Sequence, residues 1–144
     1  EILVKIEDRS ISVIFIDPNG IEIEFETIRK LSKFNNLDLI INYSVLDLNW
    51  NKHVYSKSNN KATKFYGTED WKDLDSSDRL KLYKSQLRSL NFQGIEDSNE
   101  GHLTIHTKSN APIYHLIYAS KHGSLGLKFW RETKNKYQNL RLPL

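Results

Sequence analysis

The sequence predicts one α/β domain in which helices lie on the faces of a sheet whose first strands are parallel. Two β-branched and aromatic runs, 11–16 and 37–45, have the pattern of buried strands, and apolar residues at helical spacing lie between them. Such a βαβ unit has a right-handed crossover, which makes its two strands parallel neighbours. The last third of the chain returns to short strands and ends in a helix.

The βαβ unit is predicted within residues 1–45. Strand 11–16 is so continuously apolar that we expect it to be covered on both faces, and Asp17-Pro18 ends it. Apolar residues three positions apart then predict a helix over 24–34. Residues 37–45 form the second predicted strand of the unit.

Residues 46–91 are predicted to form a loop and a helical insert. The stretch 56–64 is rich in Ser, Asn and Lys, which predicts a mobile loop. Helical spacing resumes further on, where Ser76 or Ser77 can cap the helix. Its apolar stripe consists of Leu80, Tyr83, Leu87 and Leu90.

Residues 92–144 are predicted to contain antiparallel strands and a C-terminal helix. Two short strand candidates, 92–97 and 103–107, flank a turn, and 111–120 has a stronger strand pattern. The helix is expected over residues 124–137.

The 144-residue chain opens at Glu1 and contains neither methionine nor cysteine, so we expect a fragment or processed piece that forms a single partial domain, 1–144. The lack of cysteine excludes disulfides and thiolate metal sites, and it is typical of the cytoplasm, which is the expected location. No apolar run approaches the roughly 18 residues of a membrane span, so no membrane contact is expected. A net charge of +3 is compatible with a polyanionic partner without selecting one.

Asp17-Pro18-Asn19-Gly20 has two interpretations. Proline fixes φ and the two residues after it tolerate positive φ, which favours a turn. However, Asp17 also follows a buried strand, at the sheet edge where Asn42-Tyr43-Ser44 ends the second strand and where open α/β sheets bind ligands. An acid followed by proline there resembles the [DNS]-P-P-[YF] motif of amino-methyltransferases, with Asn19 and Gly20 replacing the second proline and the aromatic. Asp17, Pro18 and Asn19 are therefore the candidate catalytic residues.

Three further groups of residues are candidates for metal or anion binding. Asp17 with Glu22 or Glu24 resembles a nuclease acid pair, but no lysine follows at the usual spacing, so no metal site is expected. The five histidines form no obvious cluster, and most of them are predicted to be structural. Lys121 and His122 lie between a strand and a helix that carries Lys128. These three residues either bind an anion such as a nucleic-acid phosphate or simply flank a helix cap.

Four blocks in order resemble one known family. "FIDPNG", "LDLIINYS", "FYGTEDW" and "PIYHLIYASKHGSLGLKFW" are similar to the C-terminal portion of the three-Cys-motif partner family, over about residues 11–131. The resemblance implies the C-terminal half of a Rossmann-like class I methyltransferase fold, which uses S-adenosylmethionine. Such proteins occur in bacteria, phages and mobile elements beside a radical-SAM-like three-Cys-motif protein, a candidate partner.

The resemblance also implies what this chain lacks. The Gly-rich donor-binding loop of that fold is not present, so S-adenosylmethionine is expected in the full-length protein and not on this fragment. Gly123 also replaces the family proline after His122. The leading hypothesis is a fragment of a methyltransferase-like protein acting on nucleic acid. The alternative is a non-catalytic module that binds nucleic acid or a companion enzyme through Lys121, His122 and the lysine-rich stretch 52–64. Under either hypothesis the outer edge of strand 11–16 is unpaired, and a second copy of the chain is the candidate partner for that edge in a homodimer.

Overall fold

The computed structural model describes residues 11–18, 20–45, 48, 51–57, 60–95 and 101–143, and its architecture is mixed α/β. The strands are β1 (Ser12–Ile16), β2 (Leu37–Ser44), β3 (His102–Thr107), β4 (Pro112–Ala119) and β5 (Arg141–Leu142). The helices are α1 (Phe25–Leu31), α2 (Lys52–Lys57), α3 (Lys61–Tyr66), α4 (Ser76–Ser89) and α5 (Gly123–Tyr137).

The strands form one mixed sheet in the order β1-β2-β4-β3-β5. Strands β1 and β2 are parallel, with Ile16 opposite Ile41, as the βαβ pattern predicts. Strand β4 is antiparallel to both β2 and β3, and the short β5 runs parallel to β3. The predicted order of a parallel pair followed by an antiparallel pair is therefore confirmed.

One face of the sheet carries the main core, against which α1, α3 and α4 pack. Phe65 and Tyr83 stack there with ring centroids 4.8 Å apart, and the hydroxyls of Tyr43 and Tyr66 are 2.9 Å apart. Burial raises the pKa of Tyr66 to about 12, so this hydroxyl stays protonated. The largest buried apolar side chains on this face also include Phe25, Ile28, Leu37, Leu39, Ile41 and Leu87.

The opposite face is only partly covered. Helix α5 packs there through Trp130, whose ring lies 5.4 Å from that of Tyr118. The outward side chains of β1 stay exposed, with 52% of Val13 and 57% of Phe15 accessible, and Ile11 just before the strand is 56% exposed. The prediction that this strand is covered on both faces is therefore wrong: Ile14 and Ile16 pack on the main core, whereas Val13 and Phe15 stay more than half exposed.

The insert between β2 and β3 also differs from the prediction. Residues 61–64 of the predicted mobile loop belong to α3, since Ala62, Phe65 and Tyr66 are spaced to bury one helical face. Their apolar spacing is hidden by the Lys- and Asn-rich composition around it. No helix in the described ranges is long and apolar enough to cross a bilayer.

Two element boundaries are corrected as well. Asp75, rather than Ser76 or Ser77, caps α4 by accepting a 2.8 Å hydrogen bond from the backbone nitrogen of Asp78. The strand candidate 92–97 is reduced to one bridge between Gln93 and Ser120, and residues 96–97 lie outside the described part of the chain, as do residues 1–10 and Asn19.

Candidate functional site

The carboxyl ends of β1 and β2 bring Asp17 and Asn42 together. Asp17 directly follows β1, and the register that pairs Ile16 with Ile41 places it beside the next residue of β2. The Asn42 side-chain nitrogen donates to Asp17 Oδ1 over 2.6 Å, which fixes the orientation of the amide. Asn42 Oδ1 is buried and accepts no hydrogen bond from any described residue. A free carboxylate oxygen and an unused amide oxygen therefore lie at one strand end.

An open cleft of about 610 Å³ extends from this pair across the sheet face that α5 leaves uncovered. Asp17, Pro18, Asn42 and Ser44 line its polar side. Gly20, with φ of 72°, adopts the left-handed conformation that the turn after Asp17 requires. The apolar lining of the cleft comes from Phe15, Ile105, Tyr114, Leu116, Leu140 and Leu142. An apolar floor with a few polar groups at one end is typical of a small-molecule site.

The other end of the sheet contains a second acid, Asp38, in a different setting. Asp38 is 2% exposed and accepts four hydrogen bonds. Its Oδ2 accepts from the Tyr118 hydroxyl at 2.5 Å and the Ser120 hydroxyl at 3.0 Å. Its Oδ1 accepts from the Lys121 backbone nitrogen at 2.8 Å and lies 3.1 Å from His122 Nδ1. These donors meet Asp38 because β4 runs antiparallel to β2, so the end of β4 lies beside the start of β2.

Helix α5 approaches this network closely at Gly126. A Cβ atom on Gly126 would lie 2.2 Å from Ser120 Oγ and 2.8 Å from the Tyr118 hydroxyl. Burial, and then the hydrogen bond to Asp38, raise the pKa of Tyr118 above its usual range. Asp38 therefore joins β2, β4 and the start of α5.

The three basic candidates are divided between the interior and the surface. Lys121 Nζ donates to the carbonyl oxygen of Leu90 and lies 4.3 Å from the centre of the Phe92 ring, and burial lowers the pKa of Lys121. His122 contacts Asp38, whereas Lys128 is exposed on α5. Lys121 and His122 lie at the opposite sheet end from Asp17, so the sequence-predicted residues do not converge on one site.

Sequence reasoning missed Asp38, although a signal was present. It is a lone acid within the apolar run 37–41, and a buried carboxylate needs hydrogen-bonding partners. The partners lie 80 or more positions away, at Tyr118 and beyond, so the run identifies the acid without identifying its role.

Two histidines do meet, contrary to the expectation of no cluster. The rings of His102 and His115 are 4.3 Å apart, and His102 Nδ1 is 3.0 Å from the buried Lys84 Nζ. Burial, followed by His115 and Lys84, lowers the pKa of His102 from 6.5 to about 3. Burial and Lys84 lower the pKa of His115 to about 4, and its Nδ1 lies 2.9 Å from Thr104 Oγ1. Both imidazoles are therefore neutral at pH 7.

Asp17 and Glu24, two of the acids considered as metal ligands, have different hydrogen-bond partners. Glu24 forms a 2.6 Å ion pair with Lys64, and Asp17 bonds Asn42. In the described ranges, no three acid or histidine side chains are grouped as a metal site.

Fold and site together define a mixed α/β protein with an open cleft at the carboxyl ends of two parallel strands. Comparison with protein-family models, curated proteins and solved structures finds no match to this chain.

Proposed function

We propose that this chain is the acceptor-binding part of an S-adenosylmethionine-dependent, methyltransferase-like protein that acts on an exocyclic amine of a nucleic-acid base. The observation that carries the proposal is the Asp17–Asn42 pair, joined over 2.6 Å at the polar end of the cleft. Asp17 is exposed, so its carboxylate can accept hydrogen bonds from a ligand.

An exocyclic amine matches the acceptors at this strand end. It carries two N–H donors, and the Asp17 carboxylate and the Pro18 carbonyl are two acceptors next to each other in the chain. When both N–H groups are engaged, the amine nitrogen is fixed and its lone pair points away from the acceptors. The apolar lining, which includes Phe15 and Leu116, suits the flat face of a base.

The strand arrangement supports the methyltransferase-like part of the proposal. A parallel pair followed by an antiparallel pair is what the second half of that fold requires, and the sheet order β1-β2-β4-β3 accommodates it. Among the described residues, β1 pairs only with β2, so its outer edge is where the first half of such a sheet would add. In this chain alone, we expect a second copy to occupy that edge.

The described residues do not fit the methyl donor itself. Glycines with positive φ lie in separate turns, at Gly20, Gly67, Gly94 and Gly123, and do not form a Gly-rich loop between a strand and a helix. S-adenosylmethionine binding is therefore assigned to the longer protein, and this chain contributes only groups that bind and orient the acceptor.

Nucleosides provide a direct test, because deoxyadenosine and deoxycytidine carry an exocyclic amine and thymidine does not. In an NMR titration we expect the Asn42 side-chain amide and the Gly20 backbone amide to shift with the first two nucleosides only. Asp17→Ala should abolish the shifts, whereas Asp73→Ala, which removes an exposed acid outside the cleft, should not. Equal shifts with thymidine would overturn the proposal. In the longer protein, Asp17→Ala should abolish methyl transfer without unfolding it.

A second candidate function, a non-catalytic nucleic-acid-binding module, is favoured by the distribution of charge. Residues 101–144 contain seven Lys and Arg and one acid, Glu132, whereas residues 1–100 contain 14 Lys and Arg and 17 acids. The net charge is therefore +6 over residues 101–144 and −3 over residues 1–100, and a positively charged region is typical of phosphate-backbone binding. This function predicts salt-dependent binding of single-stranded DNA that Asp17→Ala leaves unchanged. A radical-SAM-like companion protein remains a proposed partner under either function.

A further inference from the structure

We propose that the cleft between β3 and α5 binds a phosphate group through Arg131, Lys134 and His106. The inference goes beyond the proposed function, because it needs neither an amine site nor a methyl donor. The cleft has a volume of about 210 Å³, which suits a small anion rather than a base. It lies apart from the Asp17 cleft, and no described residue lines both clefts.

The lining of this cleft is suited to an anion. Strand β3 contributes the side chains of His102, Thr104 and His106, and α5 contributes Arg131 and Lys134. Asn135 and Gln138 complete the polar lining, and none of the described residues that line the cleft is acidic. Every polar side chain there can donate a hydrogen bond, and two of them carry a full positive charge. A phosphate oxygen would therefore meet donors on both walls.

One lining histidine has an unsatisfied atom. His106 Nδ1 is buried and has no hydrogen-bond partner among the described residues. A buried polar atom without a partner is unfavourable, so a ligand that supplies a hydrogen bond to it removes that cost. If the His106 ring carries its proton on Nδ1, Nδ1 can donate to a phosphate oxygen. If the ring carries its proton on Nε2, Nδ1 can accept from the hydroxyl of a monohydrogen phosphate.

The neighbouring histidine reports a positive electrostatic environment. Lys84 Nζ can only donate, so His102 Nδ1 accepts and the neutral ring carries its proton on Nε2. After burial and His115, both Lys84 and Lys134 lower the pKa of His102. Cationic groups on α4 and α5 therefore disfavour protonation of the His102 ring, and the negative charge of a bound phosphate would counteract this effect.

Two exposed lysines outside the cleft supply a matched control. Lys136 is exposed on α5, and Lys108 is exposed in the turn after β3. Neither residue lines the cleft, so Lys108→Gln with Lys136→Gln removes the same net charge as Arg131→Gln with Lys134→Gln. A difference between the two pairs of substitutions therefore measures the site and not the total charge.

The experiment is an NMR titration of this chain with inorganic phosphate at constant ionic strength, with chloride as the balancing ion. We expect the imidazole signals of His102 and His106 to shift, and the apparent Kd to rise at least tenfold in the Arg131→Gln/Lys134→Gln protein. The control pair should change Kd less than twofold. Equal weakening by both pairs, or no shift at either histidine, would overturn the proposal.

A second arm identifies the source of the phosphate. Displacement of bound phosphate by a short single-stranded DNA assigns the site to a nucleic-acid backbone, whereas displacement only by a nucleoside monophosphate assigns it to a free ligand. Asp17→Ala should leave phosphate binding unchanged, so failure of the amine site and failure of the phosphate site give different results.

Discussion

The two ends of the sheet each contain an aspartate, and the two acids have opposite environments. Asp38, at the start of β2, is 2% exposed and accepts from four donors. Asp17, after β1, is exposed and accepts a side-chain hydrogen bond from Asn42. A carboxylate whose lone pairs are used by the fold contributes to stability, whereas one with unused lone pairs beside a cleft can bind a ligand. The difference separates a structural end of the sheet from a binding end.

The largest expected effect comes from removing the buried acid. Asp38→Ala should lower the free energy of unfolding by about 3–5 kcal/mol, because it leaves buried donors without an acceptor and removes the partner of His122. Urea denaturation of this chain measures the change. A loss below about 1 kcal/mol would show that the network contributes little and that the two ends do not differ in this way.

Gly126→Ala should give the next largest effect. Alanine favours a helix over glycine by about 1 kcal/mol, yet its Cβ would lie 2.2 Å from Ser120 Oγ. Displacement of α5 from the Asp38 network should therefore give a net destabilisation of about 1–3 kcal/mol. Ser124→Ala, at an exposed position on the same helix, should change the free energy of unfolding by less than about 0.5 kcal/mol. A stabilised Gly126→Ala protein would contradict the close approach.

The neutral histidines predict a loss of stability in acid. The unfolded chain protonates these imidazoles below about pH 6.5, whereas the folded chain keeps His115 neutral to about pH 4 and His102 to about pH 3. Their contribution is therefore complete above pH 6.5 and is lost as pH falls toward those values, by up to about 1.4 kcal/mol per pH unit for each ring. The double substitution His102→Asn with His115→Asn should flatten the dependence of the unfolding free energy on pH between 7 and 4.5, as measured by urea denaturation. If the pH dependence is the same in the original and the substituted protein, the two histidines are not its cause.

The sequence predicted most elements of the fold, since apolar runs identify β1, β2 and β4 and a local periodicity identifies α1. The parallel pairing of β1 with β2 followed from the βαβ rule, and the antiparallel pair was implied by the family resemblance. Helix α3 was missed because three apolar residues in a polar stretch do not dominate its composition. The partial exposure of β1 was missed because an apolar run shows which residues can be buried and not which helices are present to cover them.

The sites were less predictable than the fold. Asp17 was identified from its position after a strand, but its contact with Asn42 depends on the β1–β2 register. Asp38 and its partners at the end of β4 come together only through the antiparallel pairing, and the contact of Lys121 with Leu90 joins positions 31 apart in the chain. Contacts between distant segments decide which polar residues are available to a ligand, and a single sequence does not contain them.

The smallest expected effect on stability tests the central claim most directly. Asp17→Ala should lower the free energy of unfolding by no more than about 1 kcal/mol, because the acid is exposed and loses one hydrogen bond, and should weaken deoxyadenosine or deoxycytidine binding at least tenfold. Both quantities are measured on one protein preparation, by urea denaturation and NMR titration. Retained stability with lost binding is the result we predict. A loss of about 2 kcal/mol or more in stability, or unchanged nucleoside binding, would contradict the assignment of Asp17 to a binding end.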